Sequence, residues 1–262
     1  MTTVLKKYHL VRDRHDERDH YVHTSACFKL VEPVNLPASV DLRNNCSPVE
    51  DQGDLGSCTG NAIVGAMEYL ENAEHEFEEG RVFARLSRLF VYYNERMKEG
   101  DINQDNGAQI CDGVASLQQY GIPTESTWPY MVHRFAVAPS QDAYTEALQR
   151  RTTEYARVSR TNGIMDIKRV LASGYPIIFG FTVFDGFESD AVAASGTVEL
   201  PGLGETNQGG HAVLGVGYDD ATQRVLVRNS WGPNWGIKGY FTLPYAYVTS
   251  NELSSDFWTV TK

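Results

Sequence analysis

The sequence predicts an α+β fold of two lobes, and three observations carry that prediction. Apolar residues recur at helical spacing through the first half of the chain. From about residue 177 the pattern changes to short runs rich in Val, Ile, Phe and Tyr, bounded by Gly, Asn or Pro, as strands require. The chain has 262 residues, which suits one large domain or two small ones around a shared cleft.

Residues 1–35 stand apart. They hold nine charged residues between Lys6 and Asp19 and four of the seven histidines, His9, His15, His20 and His23. Mixed charge with little periodicity predicts an arm on the surface, and the irregular spacing favours a solvated segment over a metal site. The globular part begins at Leu36-Pro37. Residues 58–71 read as a helix, with Ala62, Ile63, Ala66, Met67 and Leu70 on one face. Residues 82–98 repeat the spacing with Leu86, Leu89, Phe90, Tyr93 and Met97. A third helix carrying Ile110, Val114 and Leu117 stops at Gly121-Ile122-Pro123, and a shorter one, 166–172, stops at Gly174-Tyr175-Pro176. Strands are expected over 177–183, 212–218, 224–228 and 240–243. The expected division is 1–35, a mainly helical lobe 36–130 and a mainly β lobe 131–262.

Composition excludes several classes. A hydrophobic fraction of 42% with 14 Tyr and 11 Phe rules out a mainly disordered chain. Against 34 Asp and Glu there are 23 Lys and Arg, a net charge of −11, and no long basic block. Nucleic acid and anionic membranes are therefore not expected as partners. No run approaches the ~18 apolar residues of a membrane span. The N-terminus has no apolar h-region and no small-residue cleavage site, so no Sec-type signal is read. Four cysteines, Cys27, Cys46, Cys58 and Cys111, are too few for a disulfide scaffold.

One cysteine has special company. The Gly-rich run from Asp51 through Gln52 to Gly56-Ser57-Cys58 delivers a thiol to the first turn of a helix. Unpaired N–H groups and the positive end of the dipole favour a thiolate there. A cysteine nucleophile needs an imidazole partner. Beyond Cys58 the histidines are His75, in an acidic run, His133, in a loop, and His211, which follows Gly209-Gly210 and opens a strand. His211 is the best base by elimination. The strand it opens is joined by a tight turn, 219–223, to the strand ending at Asn229, so the two should pair as a hairpin. Asn229 would then accept a ring N–H and fix the tautomer, with Trp231 covering the bond.

These residues resemble the papain-like cysteine peptidases. The resemblance rests on Gln52-Gly53, Gly56-Ser57-Cys58, Gly210-His211-Ala212-Val213, and the run Asn229-Ser230-Trp231-Gly232 followed by Trp235-Gly236, Gly239 and Tyr240. His211 and Asn229 follow Cys58 in the family's order, somewhat beyond its typical ~130–150-residue separation. It extends from about Leu36 to Tyr245, and the run 55–62 is closest to the bacterial branch.

The resemblance implies a papain-like two-lobed fold with a β-barrel-like second lobe and a cleft between the lobes. It implies Cys58 as nucleophile, His211 as base and then acid, Asn229 as orienting residue, and Gln52 as oxyanion donor with the Cys58 N–H. Substrate contacts are implied for Gly56, Ser57, Asn106, Gly107, Ala108, Gly210 and Trp231, and Ile110 and Gly180 are placed at the S2 pocket. The expected activity is peptide hydrolysis through a thioester, with peptide or protein substrates, no metal or organic cofactor, and proteinaceous inhibitors as a further partner class. The same triad would serve an acyl transferase, peptide ligase or transglutaminase-like reaction, and a catalytically inactive binding protein is the third reading. Two departures stand out. Leu55 replaces a disulfide cysteine whose partner position falls at Asp105, which suits a reducing compartment, whether cytoplasmic or reached by export without a Sec-type signal. Thr59 replaces the bulky residue after the nucleophile. Residues 1–35 resemble a short pro-like extension, so a zymogen with a gated cleft is expected.

Overall fold

The computed structural model describes residues 8–74 and 85–262. His75 and the first residues of the expected 82–98 helix lie outside that range. In chain order the elements begin with β1 (Ser39–Asp41), α1 (Cys58–Glu74), α2 (Arg88–Glu99), α3 (Ile110–Tyr120), α4 (Gln141–Ala147), β2 (Glu154–Arg157) and α5 (Ile164–Ala172). There follow β3 (Ile177–Phe184), α6 (Asp190–Ser195), β4 (Asn207–Asp219), β5 (Arg224–Arg228), β6 (Tyr240–Pro244), α7 (Tyr245–Thr249) and β7 (Ser254–Thr261). Helices dominate the first half and strands the second, a mixed α+β fold. Among the described residues no helix is long and apolar enough to cross a membrane.

Local chemistry sets the boundaries. Ser87 accepts a hydrogen bond from the Phe90 N–H and so starts α2 one residue later. Leu86, which the apolar spacing placed inside that helix, instead bridges Thr124 in an extended stretch. The Gly-Ile-Pro stop after α3 operates as expected, with Gly121 at φ +75°.

The sheet is antiparallel, in the order β2-β7-β3-β4-β5-β6, with β1 added to β4. It stays open, so the barrel-like closure expected of the second lobe is corrected. The two ends of the path are covered by irregular backbone. The arm bridges β2 at Tyr21–Arg157, and Thr197 bridges β6 at Thr242. Covered edges have no ladder groups left to seek each other.

Three apolar clusters hold the chain together. One lies on the sheet and includes Phe179, Phe181, Val213, Phe241 and the arm residues Val22 and Phe28. A second joins α1 and α3 to the sheet through Ile63, Met67, Ile110, Leu214, Val216 and Trp258. The third packs α2 and α4 around Phe90, Trp128 and Ala143. Helix α1 therefore rests directly on β4, which carries His211. Gly65 permits that approach, because a Cβ there would lie 3.3 Å from Leu214.

Candidate active site

Cys58 is the first residue of α1 and is fully buried. The segment leading to it is stitched to the loop after β5. Asp51 and Trp231 form an antiparallel bridge, the Gln52 N–H donates to the Ser230 carbonyl at 2.9 Å, and the Gly232 N–H donates to the Glu50 carbonyl at 2.9 Å. Backbone pairing alone thus brings the nucleophile turn beside Asn229.

The hairpin forms as its turn predicts, with Asp219 opposite Arg224 and Leu214 opposite Arg228. His211 Nε2–H donates to Asn229 Oδ1 at 2.9 Å. The Ser230 N–H donates to the same oxygen at 2.8 Å, which fixes the amide's orientation. Both side chains are buried. Trp231 stacks on the imidazole with centroids 5.4 Å apart, and Phe181 meets it edge-on at 5.8 Å. Cys58 and Ala212, the residue after His211, belong to the same buried cluster, so the thiol lies close to the strand that carries the imidazole.

Gln52 is fully buried and held at both ends of its amide. Its Nε2 donates to the Leu55 carbonyl at 2.9 Å, and its Oε1 accepts from the Ser230 hydroxyl at 2.5 Å. Tyr130 braces the same turn. Its hydroxyl donates to the Gln52 carbonyl at 2.8 Å and lies 2.6 Å from Ser57 Oγ. Burial pushes that phenol up to about 12.

The arm crosses this site. The Leu10 N–H donates to the Gly210 carbonyl at 2.9 Å, and the Val11 N–H donates to the Ala108 carbonyl at 3.1 Å. The fit depends on missing side chains. A Cβ at Gly107 would lie 1.5 Å from the His9 carbonyl oxygen, and one at Gly180 would lie 2.1 Å from Leu10 Cδ2. Tyr8 packs edge-on to His211 at 5.9 Å and donates to Glu188 Oε1 at 2.7 Å. Further along, Asp13 accepts from Trp258 Nε1 at 2.6 Å and from the Cys111 N–H at 3.1 Å.

The covered thiol differs from the ionised sulfur expected at a helix tip. Burial pushes Cys58 up to about 12, against the pull of the N–H groups of Ala212, Thr59 and Cys58 itself. Buried Glu95 opposes ionisation as well. Desolvation outweighs the helix end while the cleft is covered.

Of the residues singled out in the sequence, Cys58, His211, Asn229, Gln52, Gly56, Ser57, Gly107, Ala108, Gly180, Gly210 and Trp231 line this junction or its immediate support. Asn106 turns its amide to Asp101 and Gln104 and is exposed. Ile110 is buried in the core beneath α3. His133 is exposed on a one-turn helix. All four cysteines are free thiols. Among the described residues no group of three or more His, Cys, Asp or Glu is arranged to hold a metal ion. Sequence reasoning missed Tyr130, gave Ser230 no role of its own and named Asp105 only as the place of an absent disulfide partner; their bonds become visible only when distant segments meet.

This junction of thiol, imidazole and amide defines a cysteine hydrolase of papain type. The family model described as papain family cysteine protease matches residues 36–257, and the chain belongs to that family. Xylellain, a cysteine protease from Xylella fastidiosa, superposes with a TM-score of 0.86 at 36% identity, over 99% of both chains. An uncharacterized peptidase C1-like protein of Acanthamoeba polyphaga mimivirus is 39% identical over 99% of this chain and 88% of its own. Both matches take in the arm. The bromelain protease from Ananas comosus shares the fold, with a TM-score of 0.62 at 19% identity over 86% of this chain and 99% of that one. The protein is thus a papain-like cysteine protease, and its family implies peptide or protein substrates.

Proposed function

We propose that the chain hydrolyses peptide bonds through a thioester on Cys58, in a cleft that divides it near residue 130 and that its own arm keeps covered. The observation that carries the reading is the 2.9 Å bond from His211 Nε2 to Asn229 Oδ1, beside a buried Cys58 that shares a cluster with Ala212. With Nε2–H committed to Asn229, Nδ1 is the nitrogen that exchanges a proton with Cys58. The thiolate attacks the substrate carbonyl, while Gln52 Nε2 and the Cys58 N–H receive the negative oxygen. Protonated His211 gives its proton to the leaving amine, then takes one from the water that hydrolyses the thioester.

The arm supplies the gate. The Leu10 and Val11 N–H groups donate to the Gly210 and Ala108 carbonyls, one on each wall, and so occupy acceptors that an extended peptide would otherwise use. Deleting the arm would also remove Val22 and Phe28 from the sheet-side core, so a point substitution is the cleaner test. Leu10→Asp places a charge over Gly180 and should raise cleavage of a peptide library at least ~10-fold. Cys58→Ala should abolish cleavage in either background. Equal rates for wild type and Leu10→Asp would remove the gating role, and residual activity in Cys58→Ala would remove the mechanism.

A further inference from the structure

Four free cysteines mean that no covalent bridge ties the nucleophile turn to the opposite wall of its own lobe. A carboxylate does so instead. Asp105 Oδ1 accepts from the Gly56 N–H at 2.9 Å and from the Tyr92 hydroxyl at 2.6 Å, and Oδ2 receives the same Gly56 N–H at 3.2 Å. Gly56 lies two residues before Cys58. Tyr92 belongs to α2. Asp105 itself leads straight into Gly107 and Ala108, the wall whose Ala108 carbonyl binds the arm.

We propose that Asp105 is a positioning residue for catalysis, a clasp that fixes the nucleophile turn against the substrate-binding wall. One side chain joins three segments that no ladder connects. Its closeness to the turn depends on Gly56, where a Cβ would lie 3.0 Å from Asp105 Oδ1. A bond from a backbone N–H to a carboxylate is short and strong, and it leaves the turn little freedom to rotate. The Gln52 amide and the Cys58 N–H sit on either side of Gly56, so a turn that rotates carries the oxyanion donors out of line. The Tyr92 bond keeps the carboxylate from swinging away. The burial that pushes the Tyr92 phenol well above its usual range keeps it a donor at every working pH. The expected signature is a loss of turnover, not of substrate binding.

The inference rests on Cys58 as nucleophile, so the experiment separates the two. Wild type, Cys58→Ala, Asp105→Ala and Asp105→Asn full-length chains are compared for kcat, KM and inhibition by a peptide aldehyde. Rates are taken per Cys58 modified by an irreversible peptide-based thiol label and counted by mass spectrometry, which cancels differences in folded fraction and leaves Cys27 out of the count. Asp105→Ala should lower kcat about 10- to 100-fold with KM within about 3-fold, and aldehyde affinity should fall in step with kcat. Asp105→Asn keeps an oxygen acceptor for both donors and should recover to within about 3-fold of wild type. Wild-type kcat per titrated site in Asp105→Ala overturns the clasp, as does an Asp105→Asn loss equal to that of Asp105→Ala. A wild type with no Cys58-dependent cleavage overturns the underlying mechanism instead.

Discussion

The two sides of the cleft are built differently. His211 and Asn229 stand just beyond the paired end of an antiparallel hairpin, and the imidazole sits between Trp231 and Phe181, which Phe187 and Phe241 back in turn. The nucleophile turn 52–57 has only the isolated Asp51–Trp231 bridge in the way of ladder, and is otherwise held by side chains: Ser230 and Tyr130 on Gln52, Tyr130 on Ser57, Asp105 on Gly56. Ladders and apolar cages give geometry as a by-product of stability. A turn held by polar bonds has geometry that can be lost while the fold survives. The two sides should therefore fail in different ways.

The largest effect breaks the cage. Phe241 is fully buried and packs on Phe181, Phe187 and Trp235, away from the reacting atoms in the sheet-side core. Phe241→Ala should cost about 3–5 kcal/mol in chemical denaturation. The turnover of each titrated site should stay near wild type. A large fall in turnover at unchanged stability would contradict the comparison. The next effect breaks the turn. Gln52→Ala should lower kcat about 10²- to 10³-fold, with a denaturation midpoint close to wild type. A loss confined to KM would mean that Gln52 binds substrate without stabilising the oxyanion.

The smallest effect concerns the arm that bridges both sides. Burial and the nearby Asp256 carboxylate push Asp13 from 3.8 up to about 6, against Trp258, the Cys111 N–H and Arg157. A carboxyl raised in the docked state favours docking below the ordinary pKa, and that contribution is lost as pH rises through about 6. Opening should thus increase over this window. Asp13→Asn should remove that part of the pH dependence of Cys58 labelling. An unchanged profile would exclude Asp13 as the titrating group.

The chemistry was more legible than the cover. Cys58 and His211 could be read because Cys and His are few and Cys58 ends a Gly-rich turn into a helix, and Asn229 because a tight turn pairs its strand with the one carrying His211. The strand expected to open at His211 begins instead at Asn207, with Gly209 and Gly210 inside it. The early start expected for α2 failed because Leu86 shares the spacing of Leu89 and Phe90, while the Ser87 cap that decides the matter is one hydroxyl. Strand β7 escaped because Phe257, Trp258, Thr259 and Val260 are all buried, so no alternation of faces appears. The passage of the arm across the cleft depends on absent Cβ atoms at Gly107 and Gly180, which are more than 90 residues away from it and leave no local pattern. That cover also hid the state of the thiol, since a helix tip in water and the same tip under Tyr8 and Leu10 favour opposite protonation.

The central claim is that His211 draws the proton from Cys58 once the arm is displaced. Alkylation rates of all four cysteines, followed by mass spectrometry at neutral pH in the Leu10→Asp chain with and without His211→Ala, test it most directly. The account predicts that Cys58 outpaces even exposed Cys27 when His211 is present, and falls to or below the Cys27 rate when it is replaced. Labelling of Cys58 that ignores the His211 substitution would contradict it.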